Sequence, residues 1–363
     1  MRRRNVRVGP RSVITLTVAT VIVFGACTAD RAPATATPEP TRLVAAPSTT
    51  PTPEPTRAVV APSTSPIPEP TSSLGLGATT LRTIAKAAGP EPLLTIGREL
   101  SANGTYSSHA ASYTSDGLTI SAVLHQPLAP GPHPGVVLVH GFVDASSYTT
   151  GGELQREQDY LERAGYVVLY TDLRGLAGSD PAPGGPPDLD MGSVKDVVNA
   201  IRALAASRLP GLDGERIGLL GHSLGGLLVI DVLVAKPGLV DAVVAFAPAS
   251  TVVFENVERY LTPGDPIYEA VIAAHRTPQT NPAYWADISP RTFADQASDP
   301  LLIVHGDADA DVPIEWSVET VAAWRNAGKA VEFVTLRGED HVFDARWDEA
   351  MTAVTAFFAG HLD

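Results

Sequence analysis

The sequence predicts an α/β fold: a mainly parallel central sheet with helices on both faces and a cap-like insertion. Three observations predict it. Short apolar, β-branched runs alternate with helical periodicity from about residue 92 to residue 363. Most of these runs are apolar throughout, as in strands covered on both faces. One of them leads directly into Gly221-His222-Ser223-Leu224-Gly225, a G-x-S-x-G turn set between strand and helix.

The elements follow in order. Ala111 to Ser115 and Leu118 to His125 flank Asp116-Gly117, a hairpin signal. Val136 to His140 reads as a buried strand, Leu154 to Ala164 as a helix closed by Gly165, and Tyr166 to Thr171 as the next strand. Val194, Val197, Val198, Ile201 and Leu204 share one helical face. Arg216 to Leu220 is the strand before the turn, and Gly226 to Leu233 the buried helix after it. Asp241 to Phe246, Leu301 to His305 and Val331 to Leu336 read as strands; Trp316 to Asn326 and Glu349 to Phe358 read as helices. A long connection, 248–300, carries Phe254, Tyr260, Tyr268, Tyr284 and Trp285. Such an insertion caps a pocket in this kind of fold, and Tyr284 and Trp285 are its candidate acyl- or aryl-binding residues.

The N-terminus reads as an address. Arg2, Arg3, Arg4, Arg7 and Arg11 precede an apolar stretch, Ser12 to Ala26, which is short for a membrane span of about 20 residues. Phe24-Gly25-Ala26-Cys27 resembles a lipobox, so residues 1–26 are expected to be a signal peptide and Cys27 a lipidation site. Plain secretion and an uncleaved anchor are the alternatives. Cys27 is the single cysteine, which excludes an internal disulfide. Pro-Glu-Pro-Thr recurs at Pro38, Pro53 and Pro68, and the low-complexity character of 31–73 places a disordered Pro/Thr/Ser-rich tether at 27–91. The expected location is therefore extracytoplasmic, on a bacterial cell membrane through the lipid anchor. Without residues 1–26 the chain carries 21 basic against 40 acidic side chains, a net charge of −19. That balance argues against nucleic acid and anionic lipid as partners.

The G-x-S-x-G turn puts Ser223 in a strained conformation that lifts its hydroxyl out of the sheet. A serine needs a base, an acid that orients the base, and donors for an oxyanion. On such a sheet the three side chains follow in the order Ser, acid, His. Of the histidines after Ser223, His341 lies in a polar loop after the last strand, where an imidazole can reach back to the turn. The acid is sought after the strand Leu301 to His305, where Asp307, Asp309 and Asp311 alternate; spacing alone does not choose among them. The oxyanion donors are expected to be the backbone N–H groups of Leu224, at the helix N-terminus, and Phe142, in the loop after Val136 to His140. Ala182 to Pro187 lacks the strand and lysine of a phosphate loop and reads as a rim loop. No metal cluster or dinucleotide fingerprint stands out, and no cofactor is expected.

From about Tyr113 to Phe358 the chain resembles the α/β-hydrolase superfamily. It is similar to the dienelactone-hydrolase-like group and to the catalytic domain of prolyl oligopeptidases and acylaminoacyl-peptidases. Ser115 to Ile120, Pro132 to Gly141, Asp172-Leu173-Arg174-Gly175, Gly221 to Gly226, Asn281 to Trp285 and His305 to Pro313 carry the likeness. The resemblance implies an H-G-x-x-D-x-x-V-P acid motif, which puts the acid on Asp309, and a base at His341. It leaves His222 and His305 as residues that shape the site without proton transfer. Serine replaces the cysteine nucleophile of dienelactone hydrolases. A signal and stalk stand where prolyl oligopeptidases carry a gating β-propeller, which favours an ester or small acyl substrate. The expected function is hydrolysis of carboxylic esters through an acyl-enzyme. A serine peptidase and a catalytically silent binding domain are the alternatives.

Overall fold

The computed structural model describes residues 78–183 and 187–362. The signal segment, Cys27, the Pro-Glu-Pro-Thr repeats and residues 184–186 of the rim loop lie outside the described residues. The chain order is α1 (Leu81–Lys86), β1 (Leu94–Ala102), β2 (Tyr106–Ser115), β3 (Leu118–Pro127), β4 (His133–Val139), α2 (Gln155–Arg163), β5 (Val167–Thr171) and α3 (Met191–Ala206). Then come β6 (Leu212–His222), α4 (Leu224–Ala235), β7 (Ala242–Phe246), α5 (Val253–Tyr260), α6 (Pro266–His275) and α7 (Pro282–Asp287). A 3-10 segment (Pro290–Gln296), β8 (Leu301–Gly306), α8 (Ile314–Asn326), β9 (Val331–Leu336) and α9 (Trp347–Leu362) complete it.

The strands form one sheet in the order β1-β2-β3-β5-β4-β6-β7-β8-β9. β1, β2 and β3 pair antiparallel with their neighbours, and β5 through β9 run parallel. All residues of β5, β7 and β8 are buried, which explains why they read as unbroken apolar runs. Alternate residues nevertheless serve different layers. Val137, Leu169, Leu219, Val243 and Ile303 join a core with α3 and α4. Val136, Val168, Leu220, Val244 and Val304 join a second core with Leu161 of α2 and the apolar face of α9.

The strand order reverses between β4 and β6. β4 is followed in space by β5 on one side, whereas β6 is followed by β7 on the other. The connections therefore leave in opposite directions, and a crevice opens at the carboxyl ends of β4 and β6. Val139 and Gly221 are paired at that end, one residue short of the two loops that matter for function.

Two boundaries differ from expectation. The tether was expected to extend to residue 91, yet α1 belongs to the folded domain. Thr80 caps it, and Leu81 and Ile84, one turn apart, are buried in the α4 core. Lys236 Nζ donates to the carbonyls of Ala85 and Ala87, and Arg82 pairs with Asp287 of α7 at 3.1 Å. β1 was also unforeseen. Leu94, Ile96 and Leu100 lie along it, but only Leu94 packs on the core, and the strand is held mainly by pairing with β2. Among the described residues, no helix is long and apolar enough to cross a membrane.

Candidate active site

Ser223 sits between β6 and α4 with φ 58° and ψ −119°. For a residue with a Cβ this is a strained backbone, costing on the order of 1–3 kcal/mol. Its surroundings over-determine it. The Ser223 N–H donates to the Phe246 carbonyl at 2.9 Å, and its own carbonyl accepts from Leu227 and Ala249. The turn closes because its flanks are glycine: a Cβ on Gly221 would lie 2.2 Å from the Gly225 carbonyl oxygen, and one on Gly225 2.3 Å from that of Val139. Serine at a helix start ordinarily caps the helix with its side chain. Here it makes no such bond, so the hydroxyl stays available at the crevice.

The second part of the site comes from the ends of β8 and β9. A Cβ on Gly306 would lie 2.2 Å from the Glu339 carbonyl oxygen, so only glycine lets the two loops approach this closely. Three hydrogen bonds tie them: Asp307 N–H to Leu336 O, Ala308 N–H to Glu339 O and Gly338 N–H to Asp307 Oδ1. The approach brings Asp309 and His341 together. His341 Nδ1 and Asp309 Oδ2 are 2.7 Å apart, and His305 Nε2 lies 3.2 Å from the same oxygen. Asp309 Oδ1 accepts from the N–H groups of Asp311 and Val312 at 2.9 Å. Burial pushes this carboxyl up, but the bonds from His305 and His341 outweigh it and hold Asp309 well below the usual carboxylate range.

The three aspartates thus have separate tasks. Asp307 pins the histidine loop, Asp309 meets His341, and the Asp311 carbonyl receives Arg259 and Tyr260 of α5. His305 is fully buried, with Nδ1 at 2.7 Å from Ser317 Oγ, and it backs Asp309. His222, next to Ser223, reaches the backbone carbonyl of His341 with Nε2 at 2.9 Å, and the two rings lie 4.6 Å apart. Burial, then repulsion from His341, lowers His222 to about 3, so it is neutral and its Nε2–H is the donor. Ser223 and His341 therefore share one end of the sheet. No hydrogen bond joins Ser223 Oγ to His341 among the described residues. Such bonds commonly tighten only when substrate is bound.

The loop after β4 approaches Ser223 from the other side. A Cβ on Gly141 would lie 3.0 Å from Ser223 Cβ. The Phe142 side chain packs on the small apolar cluster of Leu224, Leu227 and Ala249, at the start of the helix that follows Ser223. A cavity of about 250 Å³ opens next to His341, lined by His222, Phe246, Val342, Phe343 and residues 152–157. Arg156 crosses this rim and donates to the Val342 carbonyl at 2.9 Å.

Tyr284 and Trp285, the expected pocket residues, do not line that cavity. They are 2% and 4% exposed and sit in the α4 core. Tyr284 stacks on His275 at 4.1 Å, Trp285 packs edge-on to Phe254 at 4.7 Å, and Trp285 Nε1–H donates to Arg276 O. They fasten the insertion to the domain. The sequence also left unassigned a buried group beside the Phe142 loop, formed by His140, Tyr148, Tyr170 and Asp172. Asp172 and His140 both lie in segments that carry the family likeness, the signals that pointed there.

A crevice at a strand-order reversal, holding a strained serine beside an Asp–His pair, defines an α/β-hydrolase-fold serine hydrolase. Residues 153–363 match the prolyl oligopeptidase family, and the chain belongs to it. It is similar to the uncharacterized peptidase YtmA of Bacillus subtilis (strain 168), 24% identical over 220 residues that cover 61% of this chain and 80% of the relative. It is 29% identical over 242 residues to dipeptidyl aminopeptidase BIII of Pseudoxanthomonas mexicana, covering 63% of this chain but 33% of that protein. Acetyl xylan esterase 1 of Thermoanaerobacterium sp. JW/SL YS485 has the same fold, with TM-score 0.55, 18% identity and coverage of 77% of this chain and 98% of that one.

Proposed function

We propose that this serine hydrolase cleaves carboxylic esters through an acyl-enzyme on Ser223, with His341 as base and Asp309 as its orienting acid. The 2.7 Å contact between His341 Nδ1 and Asp309 carries the proposal. It holds the Nδ1–H tautomer, so Nε2 is the nitrogen left to take a proton. Ser223 Oγ attacks the acyl carbonyl and passes its proton to His341 Nε2. The carbonyl oxygen becomes an oxyanion and takes the N–H groups of Leu224 and Phe142. Collapse expels the alcohol, which leaves with the proton from His341. Water then attacks the acyl-enzyme by the same route and frees the acid.

The same groups cleave an amide when His341 protonates the departing amine. The family match and the peptidase names of two relatives favour this second reading. An ester is the easier bond to break, because an amide carbonyl is more strongly stabilised by resonance and its nitrogen can leave only once it is protonated. Turnover of p-nitrophenyl esters and aminoacyl-nitroanilides, compared on one preparation, separates the two. Ester hydrolysis with no nitroanilide release supports the esterase; nitroanilide turnover at equal or higher kcat/KM establishes the peptidase. Asp309→Asn is expected to lower kcat for p-nitrophenyl acetate by about 10⁴-fold, and a variant with near-native turnover contradicts the triad.

We further propose that the chain is exported and anchored by lipid on Cys27, from the basic, apolar and small-residue order of residues 2–27. Incorporation of a clickable fatty acid that is lost in Cys27→Ala supports this, and equal incorporation in both refutes it.

A further inference from the structure

Tyr148 lies six residues beyond Phe142 in the loop after β4. The residue is half-buried, and its hydroxyl meets two side chains near the end of β5. It donates to Asp172 Oδ1, and it lies 2.8 Å from Tyr170 Oη. A phenol has one proton to give, so Tyr170 donates to Tyr148. Burial, then the charges nearby, push the Tyr148 phenol far above its usual range, which keeps that proton in place. Asp172 is fully buried, and its other oxygen accepts from Ser121 Oγ. A carboxylate so enclosed is costly to leave short of a donor.

The ring of Tyr148 also closes over the end of β4. His140 lies between Tyr148 and Tyr170, at 5.0 and 5.9 Å between ring centroids. His140 is fully buried, and burial lowers its basicity. Its Nδ1–H donates to the Gly141 carbonyl at 2.7 Å, and that bond constrains the peptide leading to Phe142. Between Phe142 and Tyr148 the chain is a tight turn. Ser147 and Tyr148 N–H groups donate to the Asp144 carbonyl, and Ser146 N–H donates to Asp144 Oδ1. The loop is thus fastened at both ends, by His140 on the strand and by Tyr148 on Asp172.

We propose that Tyr148 is a positioning residue of the active site: its bond to Asp172 holds the turn that aims the Phe142 N–H at the oxyanion. The proposal rests on the reading of Phe142 as an oxyanion donor. Tyr148 touches no reacting atom; it acts through the backbone of residues 140–147. Donors of this kind act by being fixed before charge develops, so a loosened loop costs rate while substrate still binds.

Two proteins test it: Tyr148→Phe, and a chain with two glycines inserted between Ala145 and Ser146. The insertion lies in an exposed turn, interrupts the Asp144 turn bonds and changes neither Tyr148 nor Asp172, so it is expected to uncouple the loop without disturbing the core. For each, kcat and KM on p-nitrophenyl acetate are measured with inhibition by a trifluoromethyl ketone. That ketone adds Ser223 Oγ to its carbonyl and places an oxyanion in the same position. Both proteins are expected to lose about 10- to 100-fold in kcat and a similar factor in ketone affinity, with KM nearly unchanged. Native kcat and ketone affinity in the glycine-insertion protein overturn the proposal, even where Tyr148→Phe fails to fold. Full turnover by Ser223→Ala would instead overturn the triad on which it rests, and is read separately.

Discussion

His222 Nε2 lies 2.9 Å from the backbone carbonyl of His341, 119 residues away in the chain. The residue before Ser223 thus holds the loop that carries His341. This gives the variable position of the G-x-S-x-G motif a task, because the donor must be a neutral side chain long enough to reach that carbonyl.

His222→Gln preserves an N–H donor, whereas His222→Ala removes it. His222→Ala is expected to lower kcat by about 10- to 100-fold with little change in KM, because a base displaced by about 1 Å loses its alignment. His222→Gln is expected to recover much of that loss. Steady-state kinetics on one ester decide, and equal rates for the two variants would deny His222 its positioning role.

The same residue gives stability a pH dependence. His222 is lowered from about 6.5 to about 3 in the folded protein, chiefly by burial. Unfolded chains therefore take up a proton below about pH 6.5 that folded ones refuse. The associated stability is fully present above pH 6.5 and is lost as pH falls toward 3, by up to about 1.4 kcal/mol per pH unit. Urea unfolding between pH 7 and pH 4 should fall less steeply for His222→Gln than for the native protein. Parallel slopes would contradict a neutral His222.

Glycines of equal composition should respond oppositely to alanine. Gly225→Ala places a Cβ 2.3 Å from the Val139 carbonyl oxygen and 2.5 Å from that of His140, at the elbow itself. It is expected to cost at least about 1–3 kcal/mol and most of the activity. Gly360 in α9 has open space around it, and alanine there is expected to stabilise by about 0.5–1 kcal/mol. Thermal unfolding of the two variants checks both signs.

Leu81→Ala tests where the folded domain begins. Leu81 is 1% exposed in the core beneath α1. Its truncation is expected to cost about 2–5 kcal/mol in chemical unfolding, and no change would return residues 80–86 to the tether.

The parallel core was legible because β5, β7 and β8 are buried on both faces and so appear as unbroken apolar runs. β1 was not, since beyond Leu94 its side chains are exposed and its pairing with β2 is what defines it. α1 was hidden by length: it spans six residues next to a Pro- and Thr-rich stretch, and only Leu81 and Ile84 betray an apolar face. In the site, chain order led to Ser223 and His341; spacing did not separate the three alternating aspartates, the family resemblance put the acid on Asp309, and the close approach at Gly306 brings that residue to His341. The clamp on the Phe142 loop needed coordinates. Tyr148, Tyr170 and Asp172 come from two segments, and nothing local in either shows that their oxygens meet.

The central claim is that Ser223 becomes covalently acylated. Intact-mass and peptide mapping after treatment with a fluorophosphonate probe tests this most directly. The account predicts one adduct per chain, on the peptide containing Ser223, and none in Ser223→Ala. A stable, folded protein that takes up no probe, or takes it up equally without Ser223, would contradict it.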